Sequence, residues 1–443
     1  MINLTSSAAT LALSILLLLP PGSPVSARQS DLETLRSEID ARTEEINGKI
    51  VAWRRDLHEH PELGNREFRT ADLIAEHLRS LGMEVRTGVA HTGVVGILVG
   101  GRPGPVVALR ADMDALPVTE MVDLPFASKV RAEYGGREVG VMHACGHDNH
   151  MAILMGAAEV LAGMRERLPG TVKFIFQPAE EGAPAGEAGG ADLMILEGVL
   201  ETPRPDAIFG LHVMPSPTGF IGYRAGGAMA SVQTLRINVK GRQTHGAMPW
   251  GGVDPIVTSA QIILGLQTVI SRQANLTTAP AVVTIGQING GIRSNIIPDS
   301  VVMVGTVRTL DPGMREKIEE GIHRTVEGIA QSAGASAEVS LTSPLPVTYN
   351  DPDLVRRMVA TLERVAGPGM AAEVPPITGS EDFSYYQQEI PGLFFFLGVT
   401  PDTIPLEKAA ANHSPYFFAD EAALPVGVRA LANLVVDFLG GAG

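Results

Sequence analysis

One cysteine, Cys145, is all the thiol chemistry the 443 residues hold, so no internal disulfide can form. Positive charge is also scarce: 34 Lys and Arg stand against 49 Asp and Glu, a formal charge of −15. Phosphate backbones need a basic surface, which excludes nucleic acid as a main partner. No Gly-x-Ser-x-Gly elbow, phosphate-binding Gly-Lys loop or dinucleotide Gly-x-Gly-x-x-Gly occurs. The 49 Gly and 31 Pro follow no short period, and no internal repeat is visible, so collagen-like and low-complexity chains are excluded too. An acidic, globular chain remains, 45% hydrophobic and long enough for about two or three domains.

Leu11 to Leu19 form an apolar run followed by Pro20-Pro21-Gly22 and the small-residue site Val25-Ser26-Ala27. Residues 1–27 therefore read as a secretory signal cleaved after Ala27, which makes the protein exported, periplasmic or secreted. The run is shorter than the roughly 20 apolar residues of a spanning helix. No Lys or Arg precedes it, so only the terminal amine supplies positive charge. No later segment reads as a membrane span.

Periodicity predicts helices over Asp31–Glu59, Arg69–Leu81, Met151–Leu168 and Ala422–Leu439. Short apolar runs at Val94–Val99, Val106–Leu109, Val172–Phe176, Ala207–Leu211 and Leu393–Val399 read as strands. Continuous apolar strands alternating with helices indicate an α/β domain, with a mostly parallel sheet covered on both faces. Between Ile221 and Leu345 the rhythm changes to β-α-β-β-α-β, the ferredoxin-like order. We therefore expect an α/β domain in two parts, 28–220 and 346–443, interrupted by an inserted α+β satellite at 221–345. Apolar patterning does not separate a face for a homodimer or homotetramer on that satellite from an interdomain face.

Three strands run straight into metal-type or acid-type residues: Val106–Leu109 into Asp112 and Asp114, Phe174–Phe176 into Glu180 and Glu181, and Ile208–Leu211 into His212. Open α/β sheets bind ligands at the carboxyl ends of their strands. The densest cluster is His143-Ala144-Cys145-Gly146-His147-Asp148, placed in a turn before the Met151 helix. Thiolate and imidazole suit a borderline divalent ion. Cys145 also has two rival readings, a small buried hydrophobe and a nucleophile paired with histidine. The metal reading is the stronger one, because carboxylates and further histidines appear at the same sheet edge. Glu180 and Glu181 are adjacent in a loop read as extended, so their side chains should point to opposite sides. One can then bind metal while the other faces a water. His212 and His413, in Asn412-His413-Ser414-Pro415, are ligand candidates. His245 lies in the satellite and must act across a cleft. His58, His60, His77, His91, His150 and His323 read as structural or surface residues.

Five blocks occur in order: Leu57-His58-x-x-Pro61-Glu62, Arg110-Ala111-Asp112-Met113-Asp114-Ala115-Leu116-Pro117, Met142-His143-Ala144-Cys145-Gly146-His147-Asp148, Phe176-Gln177-Pro178-Ala179-Glu180-Glu181-Gly182 and Asn412-His413-Ser414-Pro415. From about Lys49 onward the chain resembles the metal-dependent amidohydrolase and carboxypeptidase family. That family includes hippurate hydrolases, indole-acetyl-amino-acid hydrolases and N-acetyl-diaminopimelate deacetylases. The resemblance implies a site for two divalent ions, zinc first, with manganese, cobalt or nickel as alternatives. It implies Cys145 as a bridge between them, His147, Glu181, His212 and His413 as further ligands, and Glu180 as general base. It also implies Asp114 as a carboxylate that orients a ligand imidazole, His245 as oxyanion stabiliser and Asn295 beside a substrate carboxylate. Gly379-Ser380-Glu381-Asp382-Phe383 resembles a family block with no role beyond shaping the site. The implied reaction is hydrolysis of the amide bond of N-acyl amino acids or related carboxy-terminal conjugates. A dipeptidase or carboxypeptidase acting on small peptides is the alternative, and a catalytically silent metal- or ligand-binding protein the more distant one.

Overall fold

The computed structural model describes residues 24–342 and 345–441. Up to residue 23, the expected signal segment lies outside the described residues. The chain opens with α1 (Pro24–Glu59) and α2 (Phe68–Ser80), then β1 (Glu84–Val89), β2 (Gly93–Val99) and β3 (Arg102–Asp112). A hairpin, β4 (Arg131–Tyr134) and β5 (Arg137–Gly140), precedes α3 (His147–Ala162), β6 (Pro169–Gln177) and α4 (Gly190–Leu196). Next come β7 (Ala207–Pro217), β8 (Ile221–Tyr223), β9 (Gly226–Met229), β10 (Ser231–Lys240) and β11 (Thr244–His245). They lead into α5 (Pro255–Thr268), β12 (Ala281–Gly290), β13 (Ile296–Ile297), β14 (Ser300–Thr309), α6 (Pro312–Ser332) and β15 (Ser336–Leu341). The chain closes with β16 (Thr348–Asn350), α7 (Pro352–Ala366), β17 (Ala371–Glu373), α8 (Phe383–Glu389), β18 (Gly392–Thr400) and α9 (Leu424–Gly440).

An eight-stranded sheet runs in the order β1-β2-β6-β3-β7-β18-β8-β17. Its four central strands are parallel, while β1, β2 and β8 pair antiparallel with their inner neighbours. Every residue of β18 is buried, as a strand covered on both faces requires. On one face Ile39, Ile50, Leu154, Leu161, Leu431 and Val435 join helices α1, α3 and α9 to the sheet. On the other, Met194, Phe383, Tyr386 and Phe394 form a second apolar cluster under α4 and α8. The mostly parallel α/β expectation is met.

The satellite has its own antiparallel sheet, β12-β14-β10-β15, and its own apolar cluster, which includes Ile262, Leu266, Ile318 and Ile322 from α5 and α6. Strands β9 and β16, one on each chain crossing, pair with each other. Helices α5, α6 and α7 each start at an Asp-Pro step. Asp254, Asp311 and Asp351 accept backbone N–H groups of the first turn, and the following proline sits where a donor is not needed.

Three details differ from the sequence expectations. Strand β1 and the β4–β5 hairpin carry mostly exposed residues, so no apolar run announced them. The helix expected over Met151–Leu168 starts at His147 and ends at Ala162, because Gly146 at φ 97 turns the chain into it. By length and composition the stretch Glu421–Gly440 would pass as a membrane span, contrary to expectation, but it is 78% buried in the chain's own core.

Candidate metal centre

Gly146 determines how the central cluster is presented. At φ 97, a Cβ there would lie 2.3 Å from Val213 Cγ2, so only glycine makes this turn. Cys145 stays in the turn, and His147 is the first residue of α3 rather than a turn residue. His212 sits inside β7, paired with Phe396 of β18, not at the strand end. His413 adopts φ 70 and is held by a hydrogen bond from its N–H to the Ala144 carbonyl at 2.8 Å. Asn412 donates its amide to the carbonyls of Cys145 and Val213, at 2.9 and 3.1 Å, tying this loop to the turn and to β7.

These elements bring Cys145 Sγ within 3.3 Å of both His212 Nε2 and His413 Nε2. Glu181 Oε1 lies 2.9 Å from His413 Nε2. Two triads share the thiol: Cys145, His147 and His212 form one, and Cys145, Glu181 and His413 the other, each with ligand atoms within 4.8 Å. His147, Glu180 and Glu181 form a third such group.

Glu180 and Glu181 do not point to opposite sides as an extended loop would require. Ala179 adopts φ 52, and the turn brings both carboxylates to His147. Asp114 clamps this turn: its two carboxylate oxygens accept the N–H groups of Glu180 and Glu181, each at 3.0 Å. The imidazole of His147 is oriented instead by the Asp114 carbonyl, which accepts from Nδ1 at 2.8 Å, while the carboxylate lies 3.5 Å away. Buried Glu67 holds the same turn from outside, accepting the Ala179 N–H at 3.0 Å and the Thr92 hydroxyl at 2.5 Å.

His245 and Asn295 are neighbours of each other and belong to none of the ligand clusters among the described residues. Strand β11 pairs His245 with Ile296, and the Asn295 carbonyl accepts the Gly246 N–H at 2.8 Å. His245 is exposed, and its Nδ1 accepts from the Ala247 N–H at 3.0 Å, which fixes the ring proton on Nε2.

Some residues around the site had no assigned role in the sequence. His150 is buried with both nitrogens engaged: Nδ1 donates to Asp112 at 2.6 Å and Nε2 accepts from the Val213 N–H at 2.9 Å. It offers no lone pair to a cation. Fully buried Arg110 holds Asp112, Glu381 and Asp382 at 2.6, 3.0 and 2.9 Å, and Gln177 donates to both Asp382 oxygens. Glu381 and Asp382 lie with Glu180 in one acidic cluster. The Gly379–Phe383 block was the only sequence signal for that pair.

Carboxyl groups crowd the site and disfavour one another's ionisation. Burial, then Glu381 and Glu181, holds the Glu180 carboxyl well above the carboxylate range. Burial pushes Glu381 up to about 8 and Asp382 up to about 6, against the opposing pull of Arg110. Burial and the adjacent Glu181 and Glu180 also push the Cys145 thiol up. For His147 burial works against protonation, but Asp112 and Asp114 outweigh it and raise the imidazole to about 10. His212, buried beside His150, is lowered to about 3.

The donor set fits divalent cations. The Nδ1 atoms of His147 and His212 are tied to the carbonyls of Asp114 and Val213, which leaves each Nε2 lone pair facing the thiol cluster. His147 Nε2 is buried with no hydrogen-bond partner, a cost that a bound cation removes. A thiol, three imidazoles and clustered carboxylates are the mixed S, N and O ligands of a borderline metal.

A family model described as peptidase family M20/M25/M40 matches residues 108–437. The chain is similar to thermostable carboxypeptidase 2 of Saccharolobus solfataricus, with 40% identity over 412 residues, 92% of this chain and 98% of the relative. It is equally similar to an N-acetylcysteine deacetylase of Bacillus subtilis, 40% identical over 393 residues, 88% of this chain and 97% of the relative. Among solved structures, the Bacillus subtilis YXEP protein, described as a dinuclear metal binding peptidase from the M20 family, matches with a TM-score of 0.75. It is 38% identical, and the match covers 89% of this chain and 99% of that one. A matched fold, matched motifs and near-complete coverage lead to one conclusion: the chain belongs to the M20/M25/M40 peptidase family.

Proposed function

We propose that the protein is a metal-dependent amidohydrolase that cleaves the amide bond of N-acyl amino acids or related carboxy-terminal conjugates. The observation that carries this reading is the thiol of Cys145 shared between two triads of ligand atoms. In this reading Cys145, His147, Glu181, His212 and His413 would hold two divalent cations, zinc being our expectation. When bound, such cations polarise a carbonyl and lower the pKa of water from 15.7 toward about 7.

The chain's own residues do the rest. Glu180, which lies with His147 and Glu181 in one cluster, takes the proton of the attacking water and returns it to the leaving amine. Arg110 holds Glu381 and Asp382 beside it. His245 Nε2–H is the donor an oxyanion needs, and its hydrogen bond from Ala247 keeps that tautomer. To Asn295, whose backbone carbonyl accepts the Gly246 N–H, this reading assigns the substrate carboxylate.

A dipeptidase or carboxypeptidase activity uses the same groups, and the carboxypeptidase relative supports it as the second reading. Hydrolysis of hippurate-like substrates and of dipeptides, with and without chelator, combined with metal analysis, separates these readings. Chelator-insensitive turnover, or none on any amide, defeats the proposal.

Two further readings belong here. The apolar N-terminal run supports export, which cell fractionation checks. Exposed Val257 and Leu264 on α5, with exposed Ile288 on edge strand β12, support a homodimer or homotetramer through the satellite. Light scattering on the purified protein reads the oligomeric state directly.

A further inference from the structure

His58, in the last turn of α1, takes no part in the proposed hydrolysis, yet it is buried between two buried carboxyl groups. Its Nδ1 lies 2.8 Å from Asp148 Oδ2, and its Nε2 lies 3.0 Å from Glu120 Oε1. A carboxylate only accepts hydrogen bonds, so the ring donates from both nitrogens, as only an imidazolium does. Burial works against that charge, but Asp148 and then Glu120 outweigh it and raise the imidazole above its ordinary range. Arg54 Nε lies 2.9 Å from the same Asp148 oxygen, and its Nη1 lies 3.4 Å from Glu421, so every charge in the group has a partner. Buried charges are costly unless paired, so the group fixes where Glu120 sits.

Glu120 connects this group to the metal-type cluster. It lies in the segment between β3 and β4, and its second oxygen accepts the Ser128 N–H at 2.6 Å. Phe126 of the same segment packs edge-on against His58, with Arg54 over its ring at 4.9 Å. The next residue after Glu120, Met121, donates its N–H to the Pro415 carbonyl at 2.9 Å, two residues beyond His413. The His413 side chain is 55% exposed, whereas Cys145, His147 and His212 are buried. Packing therefore does little to hold the His413 ring, and its loop must be held by tethers. We infer that His58 is a positioning residue for the metal centre: through Glu120 and Met121 it holds the Pro415 end of the loop that carries His413. The inference rests on the reading of His413 as a ligand of one of two cations. Of the two triads, Cys145–Glu181–His413 depends on this tether. Cys145–His147–His212, placed by the turn before α3, by α3 itself and by β7, does not.

The test follows zinc release from loaded protein by competition with a graded chelator, which reads one affinity for each bound ion. Glu120→Ala cuts the bridge and leaves Asp148 with Arg54 and His58. Met121→Pro removes the tethering N–H at an exposed position, and Met121→Ala keeps it. Glu120→Ala and Met121→Pro should each weaken one ion about 10–100-fold, the size of an outer-shell effect, and leave the other as in the wild type. Met121→Ala should match the wild type. In His413→Ala, which deletes the loop's own ligand, adding Glu120→Ala or Met121→Pro should change neither affinity further, because effects that pass through one group do not add. Equal weakening of both ions, or weakening in only one of the two variants or in neither, overturns the inference. So does Met121→Ala behaving as Met121→Pro does, or full additivity with His413→Ala. If Glu120→Ala does not fold, Met121→Pro, alone and with His413→Ala, decides the matter. A wild type that binds fewer than two zinc ions defeats the two-cation reading instead, and the positioning role falls with it.

Discussion

Cys145 and His413 are 268 residues apart in the chain, yet Sγ lies 3.3 Å from His413 Nε2. Nothing local brings them together; the Ala144 carbonyl and the Asn412 amide lock the two loops side by side. The sulfur here is the common member of both ligand triads. Replacing it with a hydroxyl, in Cys145→Ser, should release most of the bound metal. The loss of affinity should exceed the roughly 10–100-fold typical of an outer-shell partner. Elemental analysis of the purified variant decides the matter: full metal occupancy with activity lost would point to a nucleophilic cysteine.

Glu180 contacts the cluster without being needed in either thiol-containing triad. Glu180→Gln should keep its metal and lose about 10²–10⁴-fold in kcat, the size of a general-base contribution. Steady-state kinetics beside a metal assay reads both quantities, and near-normal turnover would remove Glu180 from the base role.

Asp114 accepts two N–H groups at once, and an amide side chain cannot do so, because its NH2 would face one of the donors. Asp114→Asn should loosen the Glu180–Glu181 turn and weaken metal affinity about 10–100-fold, as removal of an outer-shell partner does. Competition with a graded chelator measures this, and unchanged affinity would show that the turn holds its shape without the clamp.

Glu67 connects the fold to pH. Burial, reinforced by Asp114, pushes its carboxyl up to about 8 from an ordinary 4.5. The folded chain therefore binds this proton more tightly than the unfolded chain. The stabilisation is fully present below the ordinary value and is lost as pH rises through about 8. Glu67→Gln keeps a neutral group in place, so its melting temperature should gain on the wild type between about pH 5 and about pH 9. Thermal melts of metal-free protein at the two pH values give the comparison; a constant difference would mean that Glu67 is already ionised in the fold.

Much of the architecture was legible because it is encoded locally. Fully apolar runs such as Leu393–Val399 read as buried strands, and strand β18 is buried along its whole length. Strand β1 was not legible: its side chains are mostly exposed, and its pairing with β2 comes from backbone hydrogen bonds that any sequence can make. The direction of Glu180 and Glu181 was misjudged for a related reason. Alanine rarely adopts positive φ, and Ala179 does so here where Glu67 and Asp114 grip the turn from other parts of the chain.

The amino-acid order alone determined the ingredients: which strands are buried, where the satellite rhythm begins, and that cation-binding side chains cluster at strand ends and turns. These follow from periodicity and from the chemistry of short blocks, which act over a few residues. Only the tertiary structure decided that one sulfur serves two triads, that His150 is spent on Asp112 and Val213, and that His245 stays with Asn295 outside the cluster. Those outcomes depend on strand order and loop docking across hundreds of residues, where packing of the whole core, not local preference, sets the distances.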